Sequence, residues 1–313
     1  MFFRSSVEAD LDSLTSCTVT EPIRWADPER LTNNLASGEY RHDRIWVATD
    51  DDGRILARAV WWSFPGDPIP LALDCLYVDP GVSDRDALGA DLLDAAHRVF
   101  TSNGMKELPG YHIFLPAGWR DDDAIVTAVG WRRAALARIG MTDELERLRY
   151  RWTPDAGVPE ASTRLAFRAE PDDAVFLDLF ERAAVGSLDA GTRKGIARTG
   201  AAEEARETLD SNLSMPGDRS MWRIAYLDGH VVGFAMPSAN MGGPVVGYLG
   251  TLPQYRGQGL VDELLNEITR IHAADGAQQI IADTDVTNVP MARAFERNGY
   301  ENFAVRLVLD APA

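Results

Sequence analysis

The stretch Thr251-Leu-Pro-Gln-Tyr-Arg-Gly-Gln-Gly-Leu-Val261 decides how this chain is read. Before it, Val245 to Leu249 reads as a buried strand. After it, Leu260, Leu264, Ile268 and Ile271, with Val261 and Leu265 beside them, form one apolar face at helical spacing. A glycine-rich turn therefore joins a strand to an amphipathic helix. Gly257 and Gly259 sit where that helix begins, where unpaired backbone N–H groups and the positive end of the macrodipole converge. Without a Cβ, the main chain there is open to the oxygens of an anion, so the stretch reads as a phosphate cradle.

The spacing Gln254-x-x-Gly257-x-Gly259 lacks the lysine of the nucleotide-hydrolase loop and does not fit G-x-G-x-x-G. It resembles the acyl-CoA pyrophosphate loop of the GCN5-related N-acetyltransferases (GNAT), [QR]-x-x-G-x-[GA] after a strand ending in V-x-P. Thr251-Leu252-Pro253 fills that strand end, with Thr in place of Val. An ordinary glycine turn before a helix gives the same six residues, so the context carries the weight. Beyond the Asp275-Gly276 turn, Gln279-Ile-Ile-Ala282 reads as the next buried strand. Asn288, Met291, Gly299 and Tyr300 then match the N-x-x-[AM] helix closing on G-[FY] of the same family. Read alone, Gly299-Tyr300 is a helix C-cap, which is compatible with that match.

The chain also repeats itself. Arg44-Ile-Trp46 through Gly53-Arg-Ile-Leu56 lies on Ser220-Met-Trp222 through Gly229-His-Val-Val232, with Gly seven residues after Trp in both. Each reads as a hairpin about an Asp-Gly turn. Tyr77-Val-Asp-Pro80 corresponds to the strand end at Pro253, and Arg138-Ile-Gly-Met141 to Arg297-Asn-Gly-Tyr300. The expected fold is α/β, of the α+β GNAT type: two tandem copies, each a mixed, mostly antiparallel twisted sheet flanked by helices. Their expected spans are 1–153 and 164–313, divided in the turn formers Trp152 to Thr163.

The copies are unequal. Where the second has Arg256-Gly-Gln-Gly259, the first has Gly81-Val-Ser-Asp-Arg-Asp-Ala87, and Asp84 and Asp86 would repel a pyrophosphate. Val129 stands where the second copy has Asn288. The first copy is expected to bind no coenzyme A.

A chain of 313 residues, 45% hydrophobic, has material for two cores. Its net charge of −17 argues against nucleic acid and an anionic membrane surface, and suits either a solubilising surface or a cationic amine. Met1-Phe-Phe-Arg4 opens no long apolar region, so a cytoplasmic protein is the expectation. Cys17 and Cys75 have no metal spacing and read as small buried hydrophobes, and the Asp50–Asp52 and Asp121–Asp123 runs read as solvated loops. No metal is expected. Lysine occurs only at Lys106 and Lys194, an arginine bias typical of GC-rich, for example actinobacterial, genomes.

The resemblance implies transfer of an acetyl group from acetyl-CoA to a primary amine of a small molecule, by a monomer or homodimer. It implies that Leu249, Gly250, Thr251 and Asn288 hold the pantetheine arm. Gln254, Arg256, Gly257, Gln258, Gly259, Leu260 and Val261 would hold the pyrophosphate. The family's general-acid tyrosine falls seven residues after the motif asparagine, where this chain has Phe295. Tyr248 is the replacement candidate, with a sheet-core aromatic as its other reading. For the base, Asp283 and Asp285 share one face at strand spacing, although an Asx turn before the next helix explains them equally. Glu301 is a further carboxylate near the helix end. His230 and His272 read as a hairpin residue and a helix-end cation, outside catalysis. Ser187, Asp189 and Trp222 are candidate substrate contacts, and a helix cap and a core aromatic are their alternatives. Two further readings stand beside the favoured one: an enzyme like mycothiol synthase, and an acyl-CoA-binding module without chemistry.

Overall fold

The computed structural model describes residues 1–17 and 19–312. They form two compact units, Met1–Glu146 with Val305–Pro312, and Arg147–Ala304. In chain order the first half supplies β1 (Phe2–Ser5), α1 (Leu11–Ser16), α2 (Pro28–Ser37), β2 (Ile45–Thr49), β3 (Ile55–Trp62) and β4 (Ala72–Val78). It continues with α3 (Arg85–Ser102), β5 (Tyr111–Pro116), α4 (Asp123–Arg138) and β6 (Asp143–Trp152). The second half supplies β7 (Ala166–Ala169), α5 (Asp173–Ala184), α6 (Ala190–Thr199), α7 (Ala201–Ser214), β8 (Arg223–Leu227) and β9 (His230–Asn240). It ends with β10 (Gly243–Thr251), α8 (Leu260–Ala274), β11 (Ile280–Asp285), α9 (Val289–Arg297) and β12 (Glu301–Asp310).

The repeat read from the Trp-to-Gly spacing is a repeat of structure. In the first unit β1 to β4 pair antiparallel in sequence order, and β5 joins β4 in parallel. In the second, β7 to β10 do the same, and β11 joins β10 in parallel. Both hairpins are where the sequence puts them, and Asp228 and Gly229 take the positive φ values, 50° and 82°, that a two-residue hairpin turn requires. Even the irregularities agree. Leu76 faces Ala59 and Leu249 faces Ala235, and in each strand a bulge lies two residues earlier, at Asp74 and at Gly247.

The expected boundary differs from the observed one in the last strand of each half. Residues 147–152 of β6 belong to the second unit, where they pair antiparallel with β11 from Trp152 opposite Ile280 to Arg147 opposite Asp285. Residues 305–310 of β12 belong to the first, beside β5. Adjacency in sequence suggested that each copy keeps its own last strand. Hydrogen-bond pairing, which counts neighbours in space, assigns them the other way.

The α8 stripe is as expected at Leu260, Leu264, Leu265 and Ile268, all 1% exposed or less. Burying each stabilises the second unit by about 1.5–3 kcal/mol. The stripe ends on His272 rather than on Ile271, which is half-buried. His272 is therefore no helix-end cation: its Nε2 lies 3.0 Å from the Val245 carbonyl, and burial pushes its pKa down. β10, expected as a buried strand, is half-buried along its whole length because one edge opens onto a cavity.

Candidate active site

β10 and β11 share a single bridging pair, Val245 with Ile281, and then part. The parting leaves a cavity of about 560 Å³ in the second unit. One wall is β10 from Tyr248 to Thr251, continuing into Gly257, Gly259 and the first residues of α8. The other is Asp283 and Thr284 of β11 with Asn288, Met291 and Phe295 of the following helix. Ser187, Leu188 and Asp189, between α5 and α6, close one side, together with Arg147 from β6.

The glycine turn has the features of an anion site. Gly257 and Gly259 hold φ at +75° and +73°, and a Cβ built on either would meet no atom within 4 Å. Gly259 is the N-cap of α8 and provides no side-chain cap, so no cap side chain competes for the first amides of a 15-residue helix. Thr251 lines the cavity, and its hydroxyl is buried without a hydrogen-bond partner. Such a group is costly to leave unpaired, and a hydrogen-bonding ligand relieves it. These residues fit the coenzyme that the sequence implies.

Arg256 has another task. Its guanidinium donates to the carbonyls of Ala183 (2.6 Å), Val185 (2.7 Å), Gly186 (3.2 Å) and Thr251 (3.2 Å), fastening the turn to the end of α5. Gln254 and Gln258 are exposed and do not line the cavity, and the Gln258 carbonyl accepts from Arg164 at 3.2 Å. Leu260 and Val261 line it, as does Asn288, which begins α9 without using its side chain as a cap.

The acid and base candidates separate. Tyr248 lines the cavity between Phe180 (5.2 Å) and Phe234 (5.1 Å), and burial pushes its pKa up to about 12. Phe295 is 2% exposed, its ring 5.0 Å from that of Tyr150, and brings no ionisable group. Asp283 lines the cavity and accepts from Arg149 Nε at 3.1 Å. Asp285 does not line it. It is 1% exposed, its Oδ2 accepts from the Ala190 amide at 2.6 Å at the start of α6, and a direct role in proton removal is closed to it.

Ser187 and Asp189 reach the cavity. Asp189 caps α6 through Oδ1, accepting from Thr192 N at 2.8 Å, and turns Oδ2 toward Arg147 at 3.6 Å. Trp222 does not reach it: it is 2% exposed, packed on Phe176 at 5.3 Å, with Arg219 over its ring at 4.3 Å. Arg147 was missed because its strand was expected in the other copy. The signal was legible, since Arg147-x-Arg149 faces Asp285-x-Asp283 across the β6–β11 pair.

The first unit has the same parting, with Leu73 and Tyr111 as the one bridging pair of β4 and β5. There the edge of β4 is taken. Leu76 N donates to the Tyr111 hydroxyl at 3.2 Å, and its carbonyl accepts from Arg132 Nε (3.1 Å) and Nη2 (2.9 Å). Arg132, 1% exposed, is held by Glu21 at 2.7 Å. Glu21 also accepts from Arg85 and Trp131, at 2.8 Å each. The helix that follows β4 is capped from within, since Asp84 accepts from Ala87 N at 3.3 Å, and Arg138 pairs with Asp86 at 2.8 Å.

Residues 192–300 match the profile of the Acetyltransferase (GNAT) family. The chain carries a GNAT domain. A GCN5-related N-acetyltransferase from Sphaerobacter thermophilus is similar in fold, with 18% identity, a TM-score of 0.55, and coverage of 98% of this chain and 94% of that one. A GCN5-related glucosamine N-acetyltransferase region of a fungal multi-domain GH3 β-N-acetylglucosaminidase is similar over 98% of this chain, at 16% identity and a TM-score of 0.55. This chain spans 38% of that larger protein. The GNAT match includes the glycine turn, both cavity-lining strands and α9. Among the described residues no helix is long and apolar enough to cross a membrane, and no group of three or more His, Cys, Asp or Glu is placed to hold a metal.

Proposed function

We propose that this GNAT protein transfers an acetyl group from acetyl-CoA directly to a primary amine of a small molecule, at one site in the second unit. The observation that carries the reading is the pairing of an uncapped glycine turn with a cavity open along the edge of β10. Acetyl-CoA, when bound, supplies the acetyl group as an activated thioester. The turn at Gly257 and Gly259 offers amides and the helix dipole to its phosphates. Leu249, Gly250 and Thr251, with Asn288, offer hydrogen bonds to the pantetheine arm. Backbone donors fixed along a strand stabilise charge developing on a carbonyl oxygen, an effect worth roughly 10²–10³ in rate.

On the amine side, Asp283 and Asp189 attract the ammonium and take its proton, directly or through water. Tyr248 stays protonated, because burial holds its pKa near 12, and is a cavity hydroxyl able to give a proton to the leaving sulfur. Leu188, Met291 and Phe295 make the wall apolar and limit water. The first unit serves as scaffold and binds no coenzyme. The cytoplasm, where acetyl-CoA is made and used, is the setting this reading implies.

Release of coenzyme A from acetyl-CoA across a panel of amines, with acetylated product identified by mass, tests the proposal. Amine-dependent release is expected. Phe295, standing where the family places its acid, favours a second reading as an acyl-CoA-binding module. Tight coenzyme binding with no turnover of any amine would select it.

A further inference from the structure

Two arginines line the cavity, and their donors differ in use. Arg256 spends its donors on four backbone carbonyls. Arg147 has ion-pair neighbours at 3.5 Å (Asp285 Oδ1) and 3.6 Å (Asp189 Oδ2), both too long for good hydrogen bonds. Its Nε is buried and donates to nothing, and Asp285 Oδ1 beside it is also buried without a hydrogen-bond partner. Neutralising Asp285 accounts for a positive charge at this place. Nε faces Asp285, but that does not account for a guanidinium held at the cavity wall whose neighbours, at 3.5 and 3.6 Å, both stand beyond good hydrogen-bond distance.

We propose that Arg147 receives an acidic group carried by the acceptor, so that the substrate class is an amine bearing a carboxylate or similar group, as amino acids do. This rests on the acetyltransferase reading above. The planar fork of a guanidinium takes a carboxylate through two parallel hydrogen bonds, which the flexible ammonium of lysine cannot reproduce. Asp189 and Asp283, which line the same cavity, take the ammonium end, so each charge of the substrate meets an opposite charge within the site. Arg147 stands with β11 and the start of α6, whereas the proposed phosphate site belongs to β10 and α8. The acceptor, rather than the coenzyme, is therefore the source of the anion.

Matched pairs test this with the full chain at saturating acetyl-CoA: L-lysine with cadaverine, L-ornithine with putrescine, L-phenylalanine with phenethylamine. The acid-bearing member of at least one pair is expected to show a KM roughly tenfold to a hundredfold lower, the effect of charge-assisted hydrogen bonds gained. Arg147→Lys, which keeps the charge beside Asp285, is expected to erase that preference, raising the KM of the acid-bearing member to that of its decarboxylated partner, while the Kd of coenzyme A holds. Decarboxylated amines that are equal or better in every pair would overturn the inference. So would an Arg147→Lys protein that loses coenzyme affinity, because the anion would then be a coenzyme phosphate. If coenzyme A binds and no amine in any pair is acetylated, the activity itself is refuted, and this inference with it.

Discussion

Leu76 and Leu249 hold the same place in two strands of the same register, each two residues past a bulge and each beside a parallel neighbour that turns away. Around Leu76 the protein satisfies its own backbone, through Tyr111 on the amide and Arg132 on the carbonyl. Around Leu249 the same parting is a cavity of about 560 Å³. The helices that follow make the same contrast, one capped by the Asp84 carboxylate and the other by a glycine with no side chain to offer. A binding cleft and a closed core can thus share one backbone plan. What separates them is whether buried donors and acceptors are answered by the chain or left for a ligand.

The largest effect expected on this contrast is from Gly257→Asp. A Cβ meets no protein atom there, but it would occupy the space proposed for the coenzyme's phosphates, and the carboxylate would repel them. Coenzyme A binding should vanish in calorimetry. The positive φ of +75° implies a stability cost on the order of 1–2 kcal/mol, read in a thermal melt.

Arg132→Met acts on the other cleft. It leaves the half-buried Glu21 charge short of one partner and the Leu76 carbonyl unpaired, and breaking such a pair costs up to about 3–5 kcal/mol. The melting temperature should fall while the coenzyme A dissociation constant holds. A gain of a second coenzyme site in this variant would show that Arg132 alone closes the first cleft.

The same cluster gives a pH dependence. Burial pushes the Glu21 carboxyl up, but Arg132, Arg85 and Trp131 outweigh it and hold its pKa below the usual value of 4.5. A depressed carboxylate contributes stability that is present above its unfolded-state pKa and is lost as pH falls through its folded-state pKa. Denaturation of wild type should therefore grow easier on acidification below about pH 4.5. Glu21→Gln should start less stable and lose less over that range. Parallel slopes for the two proteins would remove Glu21 from the account.

The smallest effect belongs to Trp222→Phe. Trp222 packs in the core on Phe176, away from the cavity, so loss of volume should cost about 1 kcal/mol. Both kcat and the acceptor KM should stay as in wild type. A changed acceptor KM would return Trp222 to the substrate site.

The fold was legible where local chemistry and long-range structure agree. The Asp-Gly hairpins, the glycine turn and the α8 stripe follow from turn preference and from hydrophobic spacing, which act within a few residues. The last strands were misassigned because strand pairing is not a local property, and the one cue to the neighbour of β6, the charge match of Arg147-x-Arg149 with Asp283-x-Asp285, lies more than 130 residues away in the chain. That error also concealed Arg147, which reaches the second unit's cavity only through the β6–β11 pair. For Asp283 and Asp285, spacing gave the shared face but not the burial: one lines the cavity, while the other is consumed by a helix amide. Trp222 and His272 illustrate the same limit, since an aromatic or a histidine near a site reads alike whether it faces the ligand or the core.

The stoichiometry of coenzyme A binding, measured by calorimetry on the full chain, tests the difference between the two clefts most directly. One site per chain in wild type and none in Gly257→Asp is the predicted result. Two equivalent sites, or one site that survives Gly257→Asp, would contradict it.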